Sequence, residues 1–217
     1  RLLANASRYT PQSGKITLRV SHQPPVLHFE VADTGMGISP DGKVLVNTSE
    51  TTNMAHFIST VDFKNIDNVL VDNRPRVAEF KSDGSEVWVS AEIGGTVTII
   101  DPSDRKVKGK INFEIQGITK DAIQPVGVRF NKDNSKAFVA LGPANRVAVI
   151  DAKTYKVEKY ILVGQRVWNR GMTPDFKLLF TTNGTSNDVT VIDVESEKAI
   201  KSVKTGRYPW GVVSSID

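Results

Sequence analysis

The sequence predicts a mainly β chain in which residues 39–217 are four tandem copies of one four-stranded unit. Three observations predict it. First, four turn segments align on an aspartate: Ser39-Pro40-Asp41-Gly42-Lys43, Ser82-Asp83-Gly84-Ser85, Lys132-Asp133-Asn134-Ser135 and Thr173-Pro174-Asp175-Phe176-Lys177. These aspartates are 42, 50 and 42 residues apart. Second, twelve residues after each stands Asn53, Gly95, Asn145 or Asn187. Asn and Gly are the residue types that most readily accept positive φ, as a tight hairpin requires. Third, eighteen residues after the last three aspartates come Asp101, Asp151 and Asp193, each closing an apolar run; the first copy departs and has Ser59.

Between these landmarks the segments are short and rich in β-branched and aromatic residues. Val44–Asn47, Val87–Ser90, Ala137–Ala140 and Leu178–Thr181 form one set, and Val97–Ile100, Val147–Ile150 and Val189–Ile192 a second. A third set follows a charged turn: Val69–Val71, Lys110–Phe113, Val157–Val163 and Ala199–Val203. The fourth enters through Arg74-Pro75, Gln124-Pro125, Arg166-Val167 and Tyr208-Pro209. Four strands in a repeat of about 42 residues is the arithmetic of a propeller blade. The eight extra residues of the second repeat fall near Glu114–Asp121, as a loop insertion.

Three stretches resemble the YVTN-type β-propeller family, nearest to propellers associated with catabolism dependent on pyrroloquinoline quinone. They are Val46 to His56 (VNTSETTNMAH), Ala140 to Asp151 (ALGPANRVAVID) and Gly206 to Val212 (GRYPWGV). The resemblance implies a secreted or periplasmic scaffold beside quinone-dependent alcohol oxidation, with no catalytic set to carry over. It also implies more blades than four in a complete ring, so residues 39–217 read as an incomplete ring.

Residues 1–38 lie outside the repeat. Arg1–Tyr9 reads as the end of a helix, followed by alternating Ile16, Leu18 and Val20, a Pro24-Pro25 turn and a strand over Val26–Val31. Leu2 to Pro11 resembles the N box of the sensor histidine kinase ATP-binding domain, and Asp33-Thr34-Gly35-Met36-Gly37-Ile38 resembles its first glycine box. The resemblance would give Asn5 a Mg²⁺ ion, Asp33 the adenine amino group, and Gly35 and Gly37 the close approach of backbone to nucleotide. A second glycine-rich lid and a phospho-acceptor histidine helix have no counterpart in the sequence, so kinase activity is not expected. ATP–Mg²⁺ is a cofactor only if this kinase-like fragment works. Counting back from Asp41 as in later repeats, Asp33–Ser39 also reads as the inner strand of the first blade, with Gly35 in phase with Gly127 and Gly211. A fusion, natural or artefactual, at a point of chance similarity explains both readings.

Composition narrows the chemistry. The chain has no cysteine, which excludes disulfides, thiolate metal sites and cysteine nucleophiles. A formal net charge of +4 on scattered Lys and Arg argues against nucleic acid as partner. No apolar run spans a bilayer and no signal peptide is visible. His22, His28 and His56 have no ligand spacing, so no metal is expected. No Gly-x-Ser-x-Gly elbow points to a hydrolase. Arg74, Gln124, Arg166 and Arg207 recur just before the inner strands, which in a propeller is one mouth of the central channel. Guanidinium groups there would favour an acidic partner surface or an anionic ligand, or else would bond strand-end carbonyls or a neighbouring blade's aspartate. Trp88, Phe138, Phe180, Trp168 and Trp210 read as packing between blades.

The expected function is a non-catalytic β-propeller binding scaffold, linked to quinone-dependent alcohol catabolism, with a protein partner or an anionic ligand at one face. The alternative is an ATP-binding fragment of a sensor kinase joined to a propeller segment. The first implies a periplasmic or secreted location, the second a cytoplasmic one.

Overall fold

The computed structural model describes residues 17–23, 26–32, 39–212 and 214. The expected helix at 1–9, Asn5, Asp33, Gly35, Gly37 and all but Ser39 of the inner strand expected over 33–39 lie outside the described residues. The hairpin is present: β1 (Thr17–Gln23) and β2 (Val26–Ala32) pair antiparallel, with Gln23 opposite Val26.

Four meandering sheets follow. Blade 1 consists of β3 (Val44–Ser49), β4 (Met54–Ser59) and β5 (Asn65–Leu70). Blade 2 is β6 (Pro75–Phe80), β7 (Val87–Ala91), β8 (Thr96–Ile100) and β9 (Val107–Asn112). Blade 3 is β10 (Val128–Phe130), β11 (Lys136–Ala140), β12 (Arg146–Asp151) and β13 (Val157–Leu162). Blade 4 is β14 (Val167–Met172), β15 (Leu178–Asn183), β16 (Asp188–Asp193) and β17 (Lys198–Lys204). All neighbours are antiparallel and in sequence order, which makes these units blades of a partial β-propeller. The insertion in the second repeat carries a single 3₁₀ turn, Lys120–Ala122, and packs down through buried Ile123.

Blades 2 and 3 are covered on both faces, so their middle strands read as nearly continuous buried runs. Side chains on β7 alternate between the two neighbours: Val87 and Val89 join the core shared with blade 1, while Trp88 joins the core shared with blade 3. Phe138 and Val149 of blade 3 meet Leu179 and Ile192 of blade 4 in the same way. Fully burying one such aliphatic side chain contributes about 1.5–3 kcal/mol, so the blade-to-blade cores carry most of the stability.

Counting each turn aspartate as position 0 makes the repeated chemistry visible. The four aspartates close Asx turns: Asp83 Oδ1, for example, accepts from the Ser85 amide at 2.9 Å and its hydroxyl at 2.7 Å. These bonds hold the carboxyls of Asp41, Asp83, Asp133 and Asp175 below the usual aspartate range. At position 18, Asp101, Asp151 and Asp193 accept from amides two or three residues on. Ser59, the departure in blade 1, does the same job through its hydroxyl oxygen, which accepts from the Val61 amide at 3.2 Å.

At position 12, Asn53, Asn145 and Asn187 have φ of 56°, 55° and 58° and Gly95 has 68°. The three amide oxygens do more than permit the turn. They accept from the backbone amides of Arg74 (3.0 Å), Arg166 (2.7 Å) and Tyr208 (2.9 Å), and so lock each blade's hairpin to the crossover entering the next blade. Asn145→Gly removes this bond and keeps the permitted φ; Asn145→Ala loses both. The alanine variant is expected to cost about 2 kcal/mol and the glycine variant about half of that. Urea midpoints at unchanged m-value check the order.

A second clasp lies at position 7. The hydroxyls of Thr48, Ser90 and Thr182 donate to the carbonyls of Arg76 (3.2 Å), Val126 (2.5 Å) and Trp210 (3.1 Å), on the entering segment of the following blade. The third blade has Ala140 there and makes no such bond.

Candidate binding face at the channel mouth

The crossovers bring to one end of the channel Arg74, Gln124 and Arg166, nine before the aspartates of blades 2, 3 and 4, and Tyr208, which follows Asp175 by 33 residues as Arg74 follows Asp41 and Arg166 follows Asp133. The register thus corrects one member of the set expected from sequence: Tyr208, not Arg207, holds the fourth place. Arg74, Arg166 and Tyr208 share a left-handed backbone (φ 60°, 53° and 51°), fixed by the asparagine amides described above. Arg207 lies one residue earlier and is exposed.

The four do not form a uniform cationic ring. Arg74 Nε lies 3.1 Å from Glu50 of blade 1 and 3.4 Å from Glu92 of its own blade. Arg76 pairs with the same two carboxylates, reaching Glu92 at 3.3 Å. Partial burial would raise the Glu50 carboxyl, but Arg76 and Arg74 outweigh it and hold it below the usual range. This side of the mouth is therefore neutralised within the molecule. Gln124 is also turned inward, its amide donating to the Asp121 carbonyl at 3.0 Å.

At blade 4 the chemistry differs. The Arg166 guanidinium sits 5.9 Å over the Trp168 ring, and Trp168 meets Trp210 at 4.8 Å with the rings tilted by 48°. Gly184 makes room for Trp168, since a Cβ there would overlap the indole. Trp210 is 51% exposed and Tyr208 66%. Arg166 and Arg207 form no ion pair among the described residues. These two tryptophans thus do not simply fill the space between blades, as expected from sequence; one of them, Trp210, is half in solvent. Trp88, Phe138 and Phe180 do lie between strands, the first two fully buried.

Deeper in the channel the inner strands carry a second polar group that sequence reasoning missed. Glu79 on β6, 1% exposed, takes Arg129 of β10 at 2.7 Å and Arg170 of β14 at 3.5 Å. A charge recurring in otherwise apolar inner strands (Glu79, Arg129, Arg170) is the signal that could have found it. No three His, Asp or Glu side chains come together as a metal-ligand group among the described residues. His56 Nδ1 instead lies 2.5 Å from the Asn68 amide oxygen on the neighbouring strand. No helix among the described residues is long and apolar enough to cross a membrane.

Comparison with known proteins gives the fold. No family model matches the sequence, and no curated protein matches it. Among solved structures, the hydrazine synthase of Kuenenia stuttgartiensis is similar, with a TM-score of 0.69 and 21% identity over 76% of this chain and 47% of that chain. The chain thus spans about half the length of this solved relative, and likeness at such identity is likeness of fold. The repeated sheets and this similarity together make the chain a β-propeller-type protein.

Proposed function

We propose that the chain is a non-catalytic propeller scaffold whose channel mouth at blade 4 takes an acidic protein surface. The observation that carries this is the group Arg166, Trp168, Tyr208 and Trp210: aromatic rings half in solvent, beside guanidinium charge that forms no ion pair among the described residues. Trp, Tyr and Arg are the residue types that dominate binding energy at protein interfaces, and an Arg held over a ring is pre-organised for a carboxylate. The resemblance to YVTN-type repeats supports a partner in quinone-dependent alcohol oxidation and a periplasmic or secreted setting.

Intrinsic fluorescence tests the reading, because two of the chain's three tryptophans lie at this mouth and Trp88 is fully buried elsewhere. Titration with a polyglutamate peptide, and with a purified quinone-dependent alcohol dehydrogenase, should give a saturable, salt-sensitive change in emission. Arg166→Ala or Trp210→Ala should weaken it by about 30-fold, the ~2 kcal/mol of a hot-spot truncation. Lys153→Ala, at the opposite end of the blades, should leave it unchanged. No saturable change with either probe, or equal binding by the two mouth variants, overturns the proposal.

A further inference from the structure

One layer of side chains joins the two sides of the mouth, and Arg76 ends it. Arg76 follows Asp41 by 35 residues, as Trp168 follows Asp133 and Trp210 follows Asp175. The longer second repeat puts Val126 in the same place, 43 residues after Asp83. This place is irregular in the sheets. The register of β6 slips at Arg76, between Pro75 and Val77, and that of β14 slips at Trp168, between Val167 and Asn169. A bulge takes its residue out of the ladder and re-aims the side chain, which lets these residues meet across the channel.

Three of the four do meet. Trp168 and Trp210 lie 4.8 Å apart with their rings tilted by 48°. The Arg76 guanidinium sits 6.0 Å from the Trp210 ring centre, as that of Arg166 sits 5.9 Å from Trp168. The order is therefore Arg166, Trp168, Trp210, Arg76. Two indoles stand between two guanidinium groups, in a row that runs from blade 4 to the inner strand of blade 2.

Arg76 is the rigid end of this row. Its guanidinium is bonded to Glu50 of blade 1, and its Nε lies 3.3 Å from Glu92 of blade 2. Its carbonyl accepts from the Thr48 hydroxyl at 3.2 Å. Its side chain is 18% exposed and that of Glu92 only 9%. Two carboxylates and a backbone bond thus fix the group. A guanidinium neutralised in this way has little pull on an acidic partner, yet its planar face still holds an indole, whose ring face is negative. Trp210, by contrast, is tied through its backbone, where Thr182 donates to its carbonyl at 3.1 Å. That bond leaves the direction of the indole to its neighbours. We infer that Arg76 positions the Trp210 indole, and through it the Trp168–Trp210 pair, so that Glu50 and Glu92 on the far side of the channel set the shape of the binding face at blade 4. The consequence for binding rests on the function proposed above; the positioning does not.

The test reads the two parts separately. Two indoles this close give an exciton couplet in circular dichroism, and Trp168→Phe and Trp210→Phe, each removing one partner, assign it. Arg76→Leu should lower the couplet by about half or more, because losing the cation–π contact unties Trp210. Glu50→Gln removes one of the two carboxylates that hold Arg76 and should lower the couplet in the same direction. Its side chain is exposed and every cation of the mouth is kept, so it carries the test where urea unfolding shows Arg76→Leu to be misfolded. A full couplet in either folded variant overturns the inference. In titration with polyglutamate, Arg76→Leu should weaken binding by about 5-fold, the contribution of one partly exposed cation–π contact. It should cost nothing more once Trp210 is alanine. An equal loss with and without Trp210 would put Arg76 in direct contact with the partner and overturn the positioning role. If the unaltered chain takes up no polyglutamate, the proposed function fails, and the couplet still decides what Arg76 does.

Discussion

Replacing Glu86 by alanine is expected to lower stability by about 3–5 kcal/mol, because it strands the buried Lys81 ammonium. Glu86 is 4% exposed and lies between blades 2 and 3. Its carboxylate receives Lys81 at 2.8 Å, Lys108 at 2.7 Å, the Tyr155 hydroxyl at 2.5 Å and the Trp88 indole N–H at 3.0 Å. Lys81, itself 8% exposed, also donates to the Ala152 carbonyl at 2.9 Å. Without Glu86, two lysines and an indole N–H lose their shared acceptor in a slot walled by Trp88, Phe130 and Tyr155.

The same cluster sets the acid limit of the fold. Burial alone would raise the Glu86 carboxyl, but Lys108, Lys81, Tyr155 and Trp88 outweigh it and bring its pKa down to about 2, from 4.5. A carboxyl depressed in the folded state contributes stability that is present above its unfolded pKa and lost as pH falls toward its folded value. The shift corresponds to about 3 kcal/mol, lost progressively between pH 4.5 and 2. Tyr155 works in the opposite sense: burial first, then Glu86, push its hydroxyl up to about 12. Its contribution is present below pH 10 and lost as pH rises toward 12. Urea denaturation across pH should show the acid slope in the unaltered chain and a flatter one in Glu86→Gln.

What the sequence made legible is the part that depends on residue type alone. Aspartate at position 0 and asparagine or glycine at position 12 announce turns because each has a specific backbone bond or φ to supply, and the structure uses them so. Position 22 announces nothing, since its four occupants (Phe63, Arg105, Tyr155 and Glu197) share no chemistry. Each is chosen by the neighbouring blade and not by its own turn. The swap between Glu86–Lys108–Tyr155 and Lys136–Glu158–Glu197, the same three positions with the central charge reversed, shows this clearly. A glutamate brought to Glu86, or a tyrosine brought to Lys136, would meet the wrong partner, so these slots also select blade order. The mouth was half legible for a related reason. Its position could be counted, but whether an arginine is spent on Glu50 and Glu92 or left free beside Trp168 depends on which blade stands next to it. Counting also slipped by one at the last crossover, where Arg207 precedes the Tyr208 that takes the asparagine bond.

The axial group makes the second large prediction. Glu79 lies between Arg129 and Arg170, and the three come from the inner strands of three successive blades. Inner strand β10 is only three residues long and pairs with β11 over Val128–Phe130, so its own sheet fixes it weakly. The axial pairing supplies the missing constraint: Arg129 reaches β6, and Arg170 packs so closely on Gly127 that a Cβ there would come within 2.7 Å of its Cδ. Glu79→Ala should cost about 3–5 kcal/mol, again because it takes away the buried carboxylate that Arg129 and Arg170 share. Glu79→Ala combined with Arg129→Met should cost less than the sum of the two single changes, by about 0.5–3 kcal/mol, since the second substitution removes a charge that the first has stranded. Urea denaturation of the four proteins of this cycle measures that coupling directly. Strict additivity would mean that β10 is held by its sheet and core alone, and that the charges at the axis serve the channel instead of the fold.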